Sequence, residues 1–186
     1  MGDADHETRM PEAIRQGEAA AGSSVDEPET VHGAPVNWSL GQKVVHPSRE
    51  NLVAVVSALR DEGWLMCLDV TAVDHLRNDG DRGLPAGIEP ERFELVVILI
   101  SHTERARLRL LVQVPEEDPV VPSLFEVHPG TEALEREVFD MFGIRFDGHP
   151  DLTRILMPED WQGHPLRKDH AVGRIPVQFK GAPSAR

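Results

Sequence analysis

The chain has 186 residues, a formal net charge of −13, one cysteine, three tryptophans, six phenylalanines and no tyrosine. That length suits one domain with tails, and the longest unbroken aliphatic run, Leu95 to Ile100, falls far short of the about 18–20 residues of a membrane-crossing helix. Cys67 on its own excludes an intramolecular disulfide, a four-cysteine iron–sulfur site and a CxxC redox pair, and the excess of 32 acidic over 19 basic residues argues against nucleic acid as the main partner.

The N-terminus carries Asp3, Asp5 and Glu7 and has no apolar core of a secretory signal, which points to the cytoplasm. Residues 1–35 hold eight acidic residues against two arginines, with Pro11, Pro28 and Pro35 and almost no large apolar side chains. Such a segment buries too little surface to offset its ordering entropy, so it is expected to lack fixed structure. The first ordered element is then a helix over about residues 49–62. Ser48 suits its N-cap, Leu52, Val55, Val56 and Leu59 form its apolar stripe, and Gly63 stands where a C-terminal glycine belongs. Residues 64–73 read as a buried strand through Leu65, Met66, Leu68 and Val70. The stretch 74–90 is loop, rich in glycine, proline and charge.

Residues 92–101 read as a strand buried on both faces. Residues 106–114 read as a further strand with Leu108, Leu110, Val112 and Val114 on one face, and the short turn between the two implies an antiparallel hairpin. Ser123 with Glu126 has capping-box spacing for a brief helix. After Pro129-Gly130, a helix runs from about 131 to 142 with Thr131 as N-cap, a stripe of Leu134, Val138, Met141 and Phe142, and Gly143 at its end. Glu135, Arg136, Glu137 and Asp140 on its flanks read as a salt-bridged, partner-facing surface. Beyond Gly143, Pro150, Pro158, Pro165, Pro176 and Pro183 interrupt every element, yet Trp161 and Ile155-Leu156-Met157 are too apolar for free solution. A segment of that kind is expected to be ordered by something it lies against.

The pattern predicts an α+β fold: a small mixed, largely antiparallel sheet of about four strands packed by two or three helices, with an irregular C-terminal extension. The division is 1–35 disordered, 36–144 core domain and 145–186 extended partner-binding segment. Residues 164–186 hold five basic residues and one acidic one, a basic strip on an acidic chain. The spacing shows no self-sufficient active site. There is no HExxH, no GxGxxG, no GxxxxGK[ST] and no nucleophile elbow. His149 with Asp151, and His164 with Asp169 and His170, are the densest metal-capable groups, but they flank prolines in extended chain with no shared helical face. Cys67 reads as a small core residue.

One stretch is more specific. Glu135-Arg136-Glu137-Val138-Phe139-Asp140-Met141-Phe142-Gly143-Ile144 is followed by Gly148-His149-Pro150-Asp151-Leu152-Thr153-Arg154-Ile155-Leu156, then by Pro158-Glu159-Asp160-Trp161 and Gly163-His164-Pro165-Leu166-Arg167-Lys168-Asp169. This run resembles the C subunit of the proton-pumping NADH–quinone oxidoreductase, bacterial respiratory complex I. Leu68 to Asp74 is similar to a strand of the same family. Departures are local: Gly130 to Leu134 stand where the family often has Ala-Asn-Trp, Thr153 replaces a common arginine and His170 a common tyrosine.

The resemblance implies a non-catalytic subunit of the complex's peripheral arm on the cytoplasmic face of the membrane, attached only through the complex. It implies no catalytic, cofactor-binding or metal-binding residue on this chain, with FMN, iron–sulfur clusters, quinone and NADH on other subunits. The implied partners are the complex's D subunit, which builds the quinone chamber, and the cluster-bearing connecting subunits. The candidate partner-binding residues are Glu135, Arg136, Glu137, His149, Arg154, Trp161, His164, Arg167, Lys168 and Asp169. Two other readings remain: the homologous small subunit of a membrane-bound hydrogenase or other-donor quinone reductase, and a stand-alone metal-dependent enzyme using His149, Asp151, His164 and Asp169.

Overall fold

A computed structural model describes residues 29–78 and 80–171. The readings for residues 1–28 and for the chain beyond 171 lie outside the described residues. The order of elements is β1 (Thr30–Val31), β2 (Ala34–Ser39), β3 (Gln42–Val45), α1 (Leu52–Asp61), β4 (Met66–Asp74), β5 (Phe93–Ser101), β6 (Ala106–Val114), β7 (Val120–Pro122), a 3-10 turn (Pro129–Thr131), α2 (Glu132–Phe142) and β8 (Arg145–Asp147). Six strands form one sheet in the order β1-β2-β3-β6-β5-β4, and β7 pairs with β8 in a second, two-stranded sheet. Every pairing in the main sheet is antiparallel except β3 with β6. The fold is α+β.

The β5–β6 hairpin has the register that the alternation requires, with Val97 opposite Leu110 and Leu99 opposite Leu108. Phe93, Leu95, Val97, Leu99, Leu110, Val112 and Val114 are wholly buried on one face. The apolar stripes of α1 and α2 join that face in one continuous core. Each such aliphatic or aromatic side chain contributes about 1.5–3 kcal/mol through burial, so this layer is the main source of stability.

Four sequence readings are corrected. Order begins earlier: three strands precede α1, the first of them at Thr30. These strands leave no clear pattern in the sequence because β1 has two residues, β2 carries a proline and no clean alternation, and β3 has four residues. Strand β5 is buried on one face only, since Val96, Ile98 and Ile100 are half-exposed opposite its core residues. In β4, Leu65 just before the strand is 69% exposed, Met66 46% and Leu68 45%. The register shifts between Cys67 and Asp69, so Leu68 is the extra residue of a bulge and points away from the core. Finally, residues 123–128 form a single turn closed on the Leu124 carbonyl rather than a helix.

Cys67 is half-buried rather than in the core. Burial pushes its thiol up to about 12, so it is a poor nucleophile near neutral pH.

Candidate functional site

The site is the band of motif residues on α2 and on the irregular segment 148–171. That segment has no regular secondary structure beyond turns, so its backbone polar groups need partners from elsewhere. The structure supplies them from the chain's own buried acids and from the end of α2.

Asp140 is the centre of the arrangement. Its side chain has 0% exposure, and its Oδ2 accepts the backbone N–H groups of Ile155 at 3.1 Å, Leu156 at 2.8 Å and Met157 at 2.8 Å. Its Oδ1 accepts the guanidinium of Arg154, which also reaches the Gly163 carbonyl. Burial pushes the Asp140 carboxyl up. The Met157 N–H, Arg154, and the Leu156 and Ile155 N–H groups outweigh it and hold the acid below the usual carboxylate range.

A second anchor uses the carbonyls that α2 leaves unpaired at its C-terminal end. His164 Nδ1–H donates to the Asp140 carbonyl at 3.0 Å, Leu166 N–H to Met141 at 3.0 Å and Arg167 Nε to Phe142 at 2.6 Å. Gly143 ends the helix with φ +76°, and a Cβ there would come within 2.5 Å of the His164 ring. Only glycine fits both the left-handed backbone and the close approach.

The third anchor joins the far end of the segment to the sheet. Asp74, at the end of β4, accepts the Lys168 N–H at 2.8 Å, the Leu76 N–H at 2.9 Å and Arg92 at 3.0 Å. Burial pushes the Asp74 carboxyl up, and Arg92 with these two N–H groups outweighs it, leaving the acid below its usual range. Arg92 also pairs with Asp169 at 3.0 Å. The Arg92 and Arg167 guanidiniums lie 4.8 and 5.0 Å from the centre of the Phe93 ring.

The expected salt-bridged, partner-facing surface on α2 is therefore corrected. Glu135 has 0% exposure and accepts Ser123 Oγ at 2.6 Å, Leu124 N–H at 2.8 Å and Thr131 Oγ1 at 2.8 Å. Thr131 stands at the N-cap position, but its hydroxyl serves Glu135 instead of capping. Arg136 pairs with Glu132 and with the Thr153 carbonyl. His149 donates through Nε2 to the Glu132 carbonyl and accepts the Asp151 N–H on Nδ1. Trp161 is half-buried beside His170. Of the ten candidates, Glu137, Lys168 and Asp169 are exposed, and Asp169 is the one of these three that forms an ion pair among the described residues.

The segment is expected to be ordered by a partner; over 148–171 its backbone lies against the chain's own core. Asp74 and Arg92 are site residues that the sequence reading does not reach. A signal exists for Asp74 in the resemblance of 68–74 to a family strand, but nothing local pairs it with Lys168, 94 positions away. The four residues of the metal reading are used otherwise or lie apart, and the described residues contain no group of three His, Cys, Asp or Glu placed to hold a metal ion. Among the same residues no helix is long and apolar enough to cross a membrane.

Comparison with known proteins follows this geometry. Residues 45–175 match the family described as respiratory-chain NADH dehydrogenase, 30 Kd subunit. The NADH-quinone oxidoreductase C subunit of Nocardia farcinica is 48% identical over 145 residues, covering 76% of this chain and 53% of that protein. The corresponding C subunit of Mycobacterium ulcerans is 49% identical over 141 residues, covering 74% and 55%. The chain thus spans about half the length of the curated relatives it matches. Among solved structures, a trypsin-resistant fragment of Nqo5 superposes with a TM-score of 0.57 at 34% identity, over 65% of this chain and 91% of the fragment. A chain of an archaeal membrane-bound sulfane sulfur reductase superposes with a TM-score of 0.61 at 19% identity, over 82% and 90%, a likeness of fold alone.

Proposed function

Because the chain belongs to the family of the respiratory-chain NADH dehydrogenase 30 kDa subunit, we propose that it is a non-catalytic, peripheral-arm subunit of a proton-translocating NADH–quinone oxidoreductase. Its work is to hold the quinone-reducing D subunit and the cluster-bearing connecting subunits in place. Electron carriers and quinone belong to those neighbours, and this chain meets the cytoplasmic face of the membrane only through them.

The observation that supports the reading is the two-sidedness of the 148–171 strap. Its polar groups turn inward to Asp140, Asp74 and the end of α2, while Ile155 at 41%, Leu156 at 59% and Leu166 at 49% exposure turn outward. An apolar side chain held out by a rigid polar anchor is a docking surface whose ordering entropy has been lost before binding. In this reading Glu137 and Lys168 meet the partner directly. Arg136, His149, Arg154, His164, Arg167 and Asp169 act by holding the strap in shape, and Glu135 by fixing the turn before α2.

The test is affinity purification from the native membrane fraction with Leu156→Glu and Leu166→Glu variants. We expect folding to stay intact by thermal melting and recovery of the quinone-chamber subunit to fall at least about tenfold, the loss that about 1.4 kcal/mol of interface brings. Undiminished recovery with both variants would sink the docking role.

A further inference from the structure

The sheet has a second face, opposite α1 and α2, and the strand register lays it out in rows. Asp69 of β4 stands beside Ile98 of β5, and Ile98 beside Arg109 of β6. In the next row Val96 stands between Thr71 and Leu111. The middle column of this face, Val96, Ile98 and Ile100, is aliphatic and half-exposed. An antiparallel sheet with one solvated face ordinarily carries polar residues there. An aliphatic column on the middle strand of three is the kind of surface that a partner covers.

Part of the same face is covered by the chain itself. Arg82, in the loop between β4 and β5, bridges Glu94 and Gln113 in the row beyond Val96. The Gly83 carbonyl accepts the Asn37 side-chain N–H of β2 at 2.6 Å. That loop therefore rises over one end of the face and over its β2 side. Val44 of β3, beside Arg109 on this face, is 1% exposed. What stays open is a strip three strands wide, with a charge on each flank. Asp69 and Arg109 lie on either side of Ile98, two strand spacings or about 10 Å apart. Among the described residues neither forms an ion pair. Arg107, beside Ile100, belongs to the same basic flank, with Glu104 in the turn next to it.

We propose that this open strip of β4, β5 and β6 receives an amphipathic helix of a partner protein, with an aliphatic stripe over the β5 column, a basic residue over Asp69 and an acidic one over Arg109. The proposal rests on the reading of the chain as a subunit of a larger complex and gives it a docking surface besides the strap. The width selects the occupant: a helix is about 10 Å across, so one laid along β5 sets its apolar stripe between the two charges and its flanks over them. A sheet is broader and meets the raised loop. A second copy matches Asp69 with Arg109 only about a twofold axis parallel to β5, which brings both raised loops to the same end of the strip. Its net charge of −13 also opposes the approach of an equal charge.

The experiment places the photo-crosslinking residue p-benzoylphenylalanine at Ile98 of the full chain in its native host, with the same residue at Leu166 of the strap in parallel. After irradiation and purification from the membrane fraction, linked peptides are identified by mass spectrometry. We expect position 98 to link to one segment of another subunit, with apolar residues at helical spacing, a basic residue on one flank and an acidic one on the other. Ile98→Asp should lower recovery of that subunit at least about tenfold, and Asp69→Lys about threefold, with melting temperatures close to that of the parent. Reversing the charge of the linked segment's basic residue should restore recovery with Asp69→Lys. Undiminished recovery with both variants overturns the proposal. So do links from position 98 only to another copy, only to residues 1–28 or 172–186 of the same chain, or to a segment without the helical spacing and the two charges. Links from Leu166 with none from Ile98 overturn the proposal and leave the strap's docking role standing, whereas links from neither overturn both.

Discussion

The helix-covered face of the sheet and the strap over 148–171 are both ordered, but by opposite means. The first is a layer of apolar side chains with few polar groups beside it, chiefly Glu135 with Thr131, His46, His128 and the acids at its rim. The second has no ladder and no helix; it is laid down on two buried carboxylates and three helix-end carbonyls. The contrast shows how an irregular segment becomes rigid. Its backbone donors are taken up by acids that the regular part of the fold buries for the purpose. It also divides the labour: the core supplies stability, and the strap presents Leu156 and Leu166 outward.

Phe93→Ala should have the largest effect, because Phe93 is 0% exposed in the core and lies beneath Arg92 and Arg167 of the strap's anchor. We expect a loss of about 3–5 kcal/mol in chemical denaturation, with core and strap failing together. Retention of strap protection in that variant would break the link between the two regions.

Asp140→Ala should come next. It strips the partner from three backbone N–H groups and from Arg154, and breaking a buried pair in this way costs about 3–5 kcal/mol. Amide exchange at Ile155, Leu156 and Met157 should rise well before that of β5. Equal acceleration in both regions would show that the strap is not a separate unit.

Gly143→Ala should cost about 2 kcal/mol from the left-handed backbone, plus the displacement of His164 and Arg167. Crystallography or NMR of this variant should find the His164 ring moved off the Asp140 carbonyl while α2 is otherwise kept.

The smallest effect is that of mild acid. Burial keeps the His164 pKa below its ordinary 6.5, and Arg167 and Arg154 nearby add to this. Its contribution is fully present above about 6.5 and declines as pH falls below that value. Asp140 and Asp74, with pKa values held below 3.8, contribute above that value and lose the contribution as pH falls through their lowered ones. Urea midpoints followed downward from neutral pH should therefore drop gently first and steeply later. His164→Gln should remove part of the gentle slope, the strap's share; His46 and His128, also held low by burial, supply the core's share. An unchanged slope in that variant would remove His164 from the account.

Much of the fold is readable in the residue order. The alternation of Leu108, Leu110, Val112 and Val114, the stripe on α1 and the glycine that ends α2 are local signals, and each element stands where its period puts it. Strands β1 to β3 are not readable, since runs of two to six residues are too short to carry a clear periodicity. The bulge at Leu68 leaves Met66 and Leu68 exposed, although a strict alternation with buried Val70 assigns both to the core. The run from Glu135 to Asp169 is legible as a family pattern, but Glu135 and Asp140 read as outward-facing flank residues and are buried, while Arg136, Arg154 and Arg167 are half-buried against the chain's own backbone.

What the sequence determined by itself was the α1 and α2 helices, the β5–β6 hairpin and the family pattern, because periodicity, capping and motif spacing are properties of neighbouring residues. What the tertiary structure decided was the direction in which each charge points. Asp74 meets Lys168 across 94 positions and Asp140 meets Met157 across 17. No local rule encodes such pairs: a charge on an amphipathic flank reads as solvated until the chain folds a backbone against it.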